Sequence, residues 1–142
     1  AALPADVAVM AAAVADWRVA SEADEKIKKG PAGAPALHLV ENPDILATVG
    51  RHPTLRPRLV VGFAAETENL IANATAKLER KGADLIVLND VSDTGIGFDS
   101  NENAVTLVTG EDEREVPRAA KSGIADRILA RVVEIRGTDQ TT

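Results

Sequence analysis

"RLVVGFAAETENLIANATAKLERKGADLIVLND", residues 58–90, decides the fold. Its opening, Arg58 to Glu66, is an apolar run with charge only at its ends, the pattern of a strand buried on both faces. From Asn69 the period changes. Leu70, Ile71, Ala74 and Leu78 fall on one side of a helix, and Gly82 supplies its stop. "DLIVLND", Asp84 to Asp90, is a further buried strand. Strand, helix and strand in this order predict a βαβ crossover and a parallel pair of strands.

The flanks extend the same plan. Upstream, "VAVMAAAVA" (Val7 to Ala15) predicts another strand buried on both faces and ending at Asp16. A long loop follows, carrying Lys26, Lys28 and Lys29 and then Gly30, Pro31, Gly33 and Pro35, a plausible lid. "ALHLVE" (Ala36 to Glu41) alternates like a short strand. In "NPDILATVG", Asn42 suits a helix cap and Pro43 its first turn, so a helix is expected to about Gly50. Downstream, "AVTLVTG" and "EREVPRA" flank an acidic turn and predict an antiparallel hairpin. "KSGIADRILARVVEIR" is a closing helix, and the polar end is expected to fray. The fold class is therefore α/β and Rossmann-like: a largely parallel sheet flanked by helices, with a C-terminal antiparallel hairpin. One domain is expected over residues 1–136, with a flexible tail at 137–142.

Composition agrees. The chain has 142 residues, 45% of them hydrophobic and only 2% aromatic, so its core must be built from Ala, Val, Ile and Leu. A net charge of -6 argues against a nucleic-acid surface, which needs a broad basic face. Cysteine is absent, which excludes a disulfide framework and a thiolate metal site, and the only histidines are His38 and His52. No apolar run approaches the roughly 20 residues of a membrane span. A cytoplasmic protein with no membrane partner is expected.

In open α/β sheets a ligand sits outside the carboxyl ends of the parallel strands. Asp16, Gly62 to Glu66, and Asn89 with Asp90 are all predicted at such ends, and so to share one crevice. The lysine cluster suits a small polyanion such as a nucleoside triphosphate, although a solvated lysine-rich loop accounts for it equally well. No glycine motif of the G-x-G-x-x-G or Walker type is present. Phosphates would then be held by lysine and backbone, or a glycine-rich segment lies upstream of Ala1.

"AAAVADWR", "EKIKK", "NPDIL", "VGFAAET", "KGADLIVLNDVS" and "GFDSNEN" occur in this order and over nearly the whole chain. Together they resemble phosphopantothenate-cysteine ligase, the synthetase part of the bacterial bifunctional coenzyme A biosynthesis protein. The resemblance implies CTP-dependent joining of 4'-phosphopantothenate to cysteine through an acyl-cytidylate, with release of pyrophosphate and CMP. It implies Mg2+ accompanying CTP, a homodimer through the sheet region, and FMN only on a decarboxylase domain that this sequence does not contain. The family's glycine-rich segment, with an asparagine important for turnover, is also not matched here, so an isolated fragment is expected to bind nucleotide more readily than to catalyse. The hairpin from Ala104 to Ala119 is the expected dimer edge.

Residue by residue, the resemblance matches Lys26 to the lid lysine needed for the acyl-cytidylate, with Lys28 and Lys29 beside it. Asp16 matches an aspartate for the metal and nucleotide, and would otherwise simply cap the turn leaving a strand. Ala15 and its small neighbours would let a base lie against backbone, or merely pack tightly. Gly62 permits close approach of a ligand and Phe63 offers it a flat face, unless the ring only fills core. Asp44 belongs to a segment that the family places at the nucleotide pocket, yet it also suits a helix start. Asn89 and Asp90 are expected to order loops more than to do chemistry. Two rival readings remain: a dinucleotide oxidoreductase, disfavoured by the missing glycine turn, and a non-catalytic sheet-pairing dimerisation module.

Overall fold

The computed structural model describes residues 3–28, 33–91 and 101–138. In chain order its elements are β1 (Val7–Val9), β2 (Trp17–Val19), β3 (Leu39–Glu41), α1 (Ile45–Gly50), β4 (Leu59–Glu66), α2 (Leu70–Lys81), β5 (Leu85–Asp90), β6 (Glu102–Val108), β7 (Glu113–Ala120) and α3 (Lys121–Thr138). They divide into two units. A sheet unit lies within Ala1–Ala11 and Ile45–Thr142, and a short unit is Ala12–Asp44.

The fold is α/β, as the sequence predicts. Among the described residues the main sheet runs β1-β4-β5-β6-β7. β4 pairs in parallel with both β1 and β5, and β5, β6 and β7 continue antiparallel, so the sheet is mixed and the hairpin forms one edge of it. Alternation along the central strands builds a core on each face. Leu59, Val61, Leu85 and Val87 point to one side, where Ile124, Ile128 and Val132 of α3 cover them. Val60, Ala64, Ile86 and Leu88 point to the other, under Ala74, Leu70 and Leu78 of α2 and Leu46 and Val49 of α1. Burial on both sides is why these strands read as unbroken apolar runs. No helix among the described residues is long and apolar enough to cross a membrane.

Three local expectations need correcting. β1 is three residues long and half-exposed, and Ala11 to Ala15 are exposed and outside any strand. Alanine offers little apolar area, so a run of it does not compel burial. The helix begins only at Ile45, and the Asn42 Oδ1 that would cap an earlier start accepts from Arg18 Nη1 instead. Gly62 is indeed crowded, but by protein: a Cβ there would lie 2.8 Å from Leu46 Cδ2 and 2.9 Å from Ile86 Cδ1. The glycine is explained by the close approach of α1 to β4.

At the opposite end of the parallel strands, α1 and α2 meet at Gly50 and Gly82. Gly82 has φ of +64° and ends α2 in the left-handed conformation. Arg56 ties this junction together. Its Nε donates to Gly50 O (2.7 Å), its Nη2 to Gly82 O (2.9 Å), and Nη2 also reaches both carboxylate oxygens of Asp84 (2.9 Å). Asp84 in turn accepts from the Val60 N–H at 2.7 Å. One guanidinium thereby satisfies carbonyls left over at two helix ends and holds a carboxylate that steadies β4.

Candidate functional site

The short unit carries most of the predicted site residues. β2 and β3 pair antiparallel, with Trp17 opposite Glu41, Arg18 opposite Val40 and Val19 opposite Leu39. This register brings Asn42 back against the start of β2. The Asn42 N–H donates to Asp16 O at 2.8 Å, and its Nδ2 donates to Ala15 O at 2.7 Å. Arg18 closes the arrangement from the other side, its Nη1 donating to Glu41 O (3.0 Å) and to Asn42 Oδ1 (3.1 Å). Asn42 therefore fixes two consecutive carbonyls, those of Ala15 and Asp16, while the Asp16 residue itself is exposed. The result is a clasp: backbone held rigidly beside a solvent-facing aspartate.

Lys26 and Lys28 lie further along the same unit, both exposed and outside regular structure, and Asp44 ends the unit two residues after Asn42. Lys29 lies outside the described residues, as do Gly30 to Ala32 and most of the "GFDSNEN" motif. Among the described residues no group of three or more His, Cys, Asp or Glu side chains could hold a metal ion. A lone Asp16 still fits Mg2+, which keeps several waters and takes one or two protein carboxylates alongside substrate phosphates.

In the sheet unit the carboxyl ends of β4 and β5 are laced by amides. Asn103 Nδ2 donates to Asn89 Oδ1 at 2.6 Å, and Asn89 Nδ2 reaches Ala64 O at 3.4 Å. Asn73 of α2 donates to Glu66 Oε2 (3.3 Å) and to Glu68 O (2.9 Å). Asn89 thus joins β4, β5 and β6. Phe63 is half-buried and packs against the core on the α3 side.

With this geometry in hand, a family described as the DNA/pantothenate metabolism flavoprotein C-terminal domain matches residues 1–135. The chain belongs to that family. Among its relatives, the coenzyme A biosynthesis bifunctional protein CoaBC of Vibrio vulnificus (strain YJ016) is 40% identical over 133 residues, 93% of this chain and 33% of that protein. The CoaBC of Mycobacterium bovis is 42% identical over 140 residues, 91% of this chain and 33% of that protein. This flavoprotein C-terminal domain therefore spans about a third of the length of the curated relatives it matches. The crystal structure of the C-terminal domain of a CoaBC protein superimposes with a TM-score of 0.70 at 30% identity, covering 94% of this chain and 56% of that one. A flavoprotein from Streptococcus pneumoniae shares the fold, with a TM-score of 0.67 at 20% identity. The resemblance drawn from the ordered motifs, to the synthetase part of the bifunctional coenzyme A biosynthesis protein, holds.

Sequence reasoning singled out Ala15, Asp16 and the lysines, and the structure adds to them Arg18 and the side-chain bonds of Asn42. "ADWR" and "NPD" both carry a signal, since one sets a hydrogen-bonding residue within a short strand and the other sets one just past a strand end. Only the strand pairing reveals that the two residues are partners.

Proposed function

We propose that this chain is the CTP-handling part of a phosphopantothenate-cysteine ligase, acting in coenzyme A biosynthesis. The observation that carries the reading is the clasp, in which Ala15 and Asp16 have their backbone fixed by Asn42 on the same short unit as Lys26 and Lys28. Rigid backbone groups beside small side chains suit recognition of a base edge, and flexible ammonium groups suit phosphates. Membership of the family and the identity with CoaBC proteins support the same assignment.

In the first step a carboxylate oxygen of 4'-phosphopantothenate attacks the α-phosphorus of CTP, forming the acyl-cytidylate and expelling pyrophosphate. The Lys26 ammonium follows the charge that builds on the phosphoryl oxygens, and Lys28 and Lys29 offset that of the departing pyrophosphate. Asp16 orients the nucleotide end and is the carboxylate that would hold Mg2+, which when bound would neutralise triphosphate charge. The Ala15 backbone and Asp44 belong to the base and ribose end. The cysteine amine then attacks the acyl carbon, the amide forms and CMP leaves. The outer edge of β7, unpaired in the described sheet, is the proposed homodimer surface.

Trp17 is the only tryptophan, stands next to Asp16 and is 57% exposed, so it reports on this clasp. Titration with CTP and Mg2+, and separately with ATP and Mg2+, is expected to give saturable fluorescence changes at lower concentration for CTP. No response to either nucleotide in the intact protein carrying this chain would leave the sheet-pairing module as the better account.

A further inference from the structure

We propose that Arg18 is a positioning residue for base selection: it sets the orientation of the Asn42 amide, and through that amide the Ala15–Asp16 backbone. This rests on the CTP-handling reading above and adds to it the residue that makes the clasp rigid.

A primary amide presents an acceptor on one side and a donor on the other, and on its own it can turn over about its last torsion. At Asn42 the two sides face groups of opposite kind. Ala15 offers a carbonyl oxygen, which demands the Nδ2 donor at 2.7 Å. Arg18 offers a guanidinium N–H, which demands the Oδ1 acceptor at 3.1 Å. Turning the amide over would set oxygen against oxygen and N–H against N–H, losing both bonds at once. For Arg18 to follow such a turn would cost a further bond, because the same Nη1 also donates to Glu41 O at 3.0 Å, on the strand that pairs with its own. The sequence of dependence is Arg18 to Asn42 to Ala15 O, across residues that the β2–β3 register alone brings together.

Both of these Arg18 hydrogen bonds end on protein. A residue so engaged acts on the nucleotide through the backbone it fixes. Removing it should loosen the recognition of the base more than the hold on phosphates, which fall to the lysines. Discrimination between CTP and ATP is therefore the quantity to read, since general destabilisation would weaken both nucleotides alike.

In the intact protein carrying this chain, Arg18→Gln is expected to lower the ratio of CTP to ATP affinity about tenfold, with the ATP constant little changed. Arg18→Lys, which retains one donor, should recover part of the ratio and serves as the second variant if Arg18→Gln folds poorly. Adding Arg18→Gln to Asn42→Ala should then cost nothing further, because the path from Arg18 is already cut. Undiminished discrimination in Arg18→Gln, or fully additive losses in the double variant, would overturn the proposal while leaving CTP handling intact. A parent protein that shows no preference for CTP would overturn the CTP-handling reading itself and this proposal with it.

Discussion

Single residues here do one of two things, hold charge for chemistry or make room for packing, and the two are tested differently. In the proposed ligase reaction Lys26 belongs to the first kind. An ammonium that meets charge developing on a phosphoryl oxygen contributes mainly in the transition state. Lys26→Ala is expected to lower kcat for acyl-cytidylate formation by about 100-fold or more, the scale of losing one oxyanion donor, while the CTP dissociation constant moves far less. Pyrophosphate release in a single turnover, beside a CTP titration, measures the two separately, and equal loss in both would make Lys26 an ordinary binding group. Gly62 belongs to the second kind. The atoms that a new methyl would meet are the ends of the Leu46 and Ile86 side chains, which can shift at some cost. Gly62→Ala should therefore destabilise by roughly 1–3 kcal/mol, as overpacking does. Gly50→Ala should cost more, since its methyl would press on the Lys81 and Gly82 carbonyls, which belong to backbone that cannot turn aside. Denaturant melts of the two variants check the order.

At the scale of elements, legibility followed the range of the interactions. β4, α2 and β5 could be read because each is fixed by local pattern: apolar runs of strand length, a 3.6 period, a glycine stop. The β6–β7 hairpin was equally local. β1 is shorter than its pattern suggests because alanine counts as apolar without having much area to bury, and α1 starts later because the Oδ1 of Asn42, a good cap by residue type, is taken by Arg18. The separation of the short unit from the sheet unit, and the pairing of Arg18 with Asn42 across 24 positions, depend on strand register and left no mark on composition. Arg56 was missed for the same reason. It sits between two helix ends in space but in a proline-bearing loop in sequence. Replacing Arg56 by Ala would strand the Gly50 and Gly82 carbonyls and leave Asp84 without its cation. We expect a loss of about 2–3 kcal/mol, the cost of hydrogen bonds to charged groups at a site that is partly open to water. Lys at this position has neither the planar fork nor the reach to serve all its acceptors, so Arg56→Lys should recover less than half of the loss in the same melts.

For the whole molecule, acid stability should be governed by the ring of charges that fastens α3 to the hairpin. Arg114 donates to Asp112 (2.9 Å) and to Glu134 (2.7 Å), and Arg131, also bonded to Asp112, donates to Glu134 at 3.0 Å. The Thr109 hydroxyl bond is the main reason the Asp112 carboxyl titrates below its ordinary value, with Arg114 and Arg131 adding to the effect and desolvation opposing it. Glu134 is lowered first by the Arg131 hydrogen bond and then by that of Arg114. Arg114 is raised, so its share persists at every pH below the ordinary arginine range. A carboxyl with a lowered folded pKa stabilises the fold above its unfolded value, about 4, and that contribution disappears as pH falls through the folded value. The melting temperature should therefore be insensitive to these groups from pH 8 to about 5 and decline below about 4. Asp112→Asn should be less stable than the parent at neutral pH, and the gap should narrow on acidification because the parent loses the charge that the variant never had. Moderate salt should shrink the gap as well, since Asp112, Glu134 and Arg114 are open to solvent. Melts at pH 7 and pH 3 decide the matter: a gap of constant size would mean that Asp112 acts through its turn with Thr109 and not through its charge, and that α3 is held by its apolar face alone.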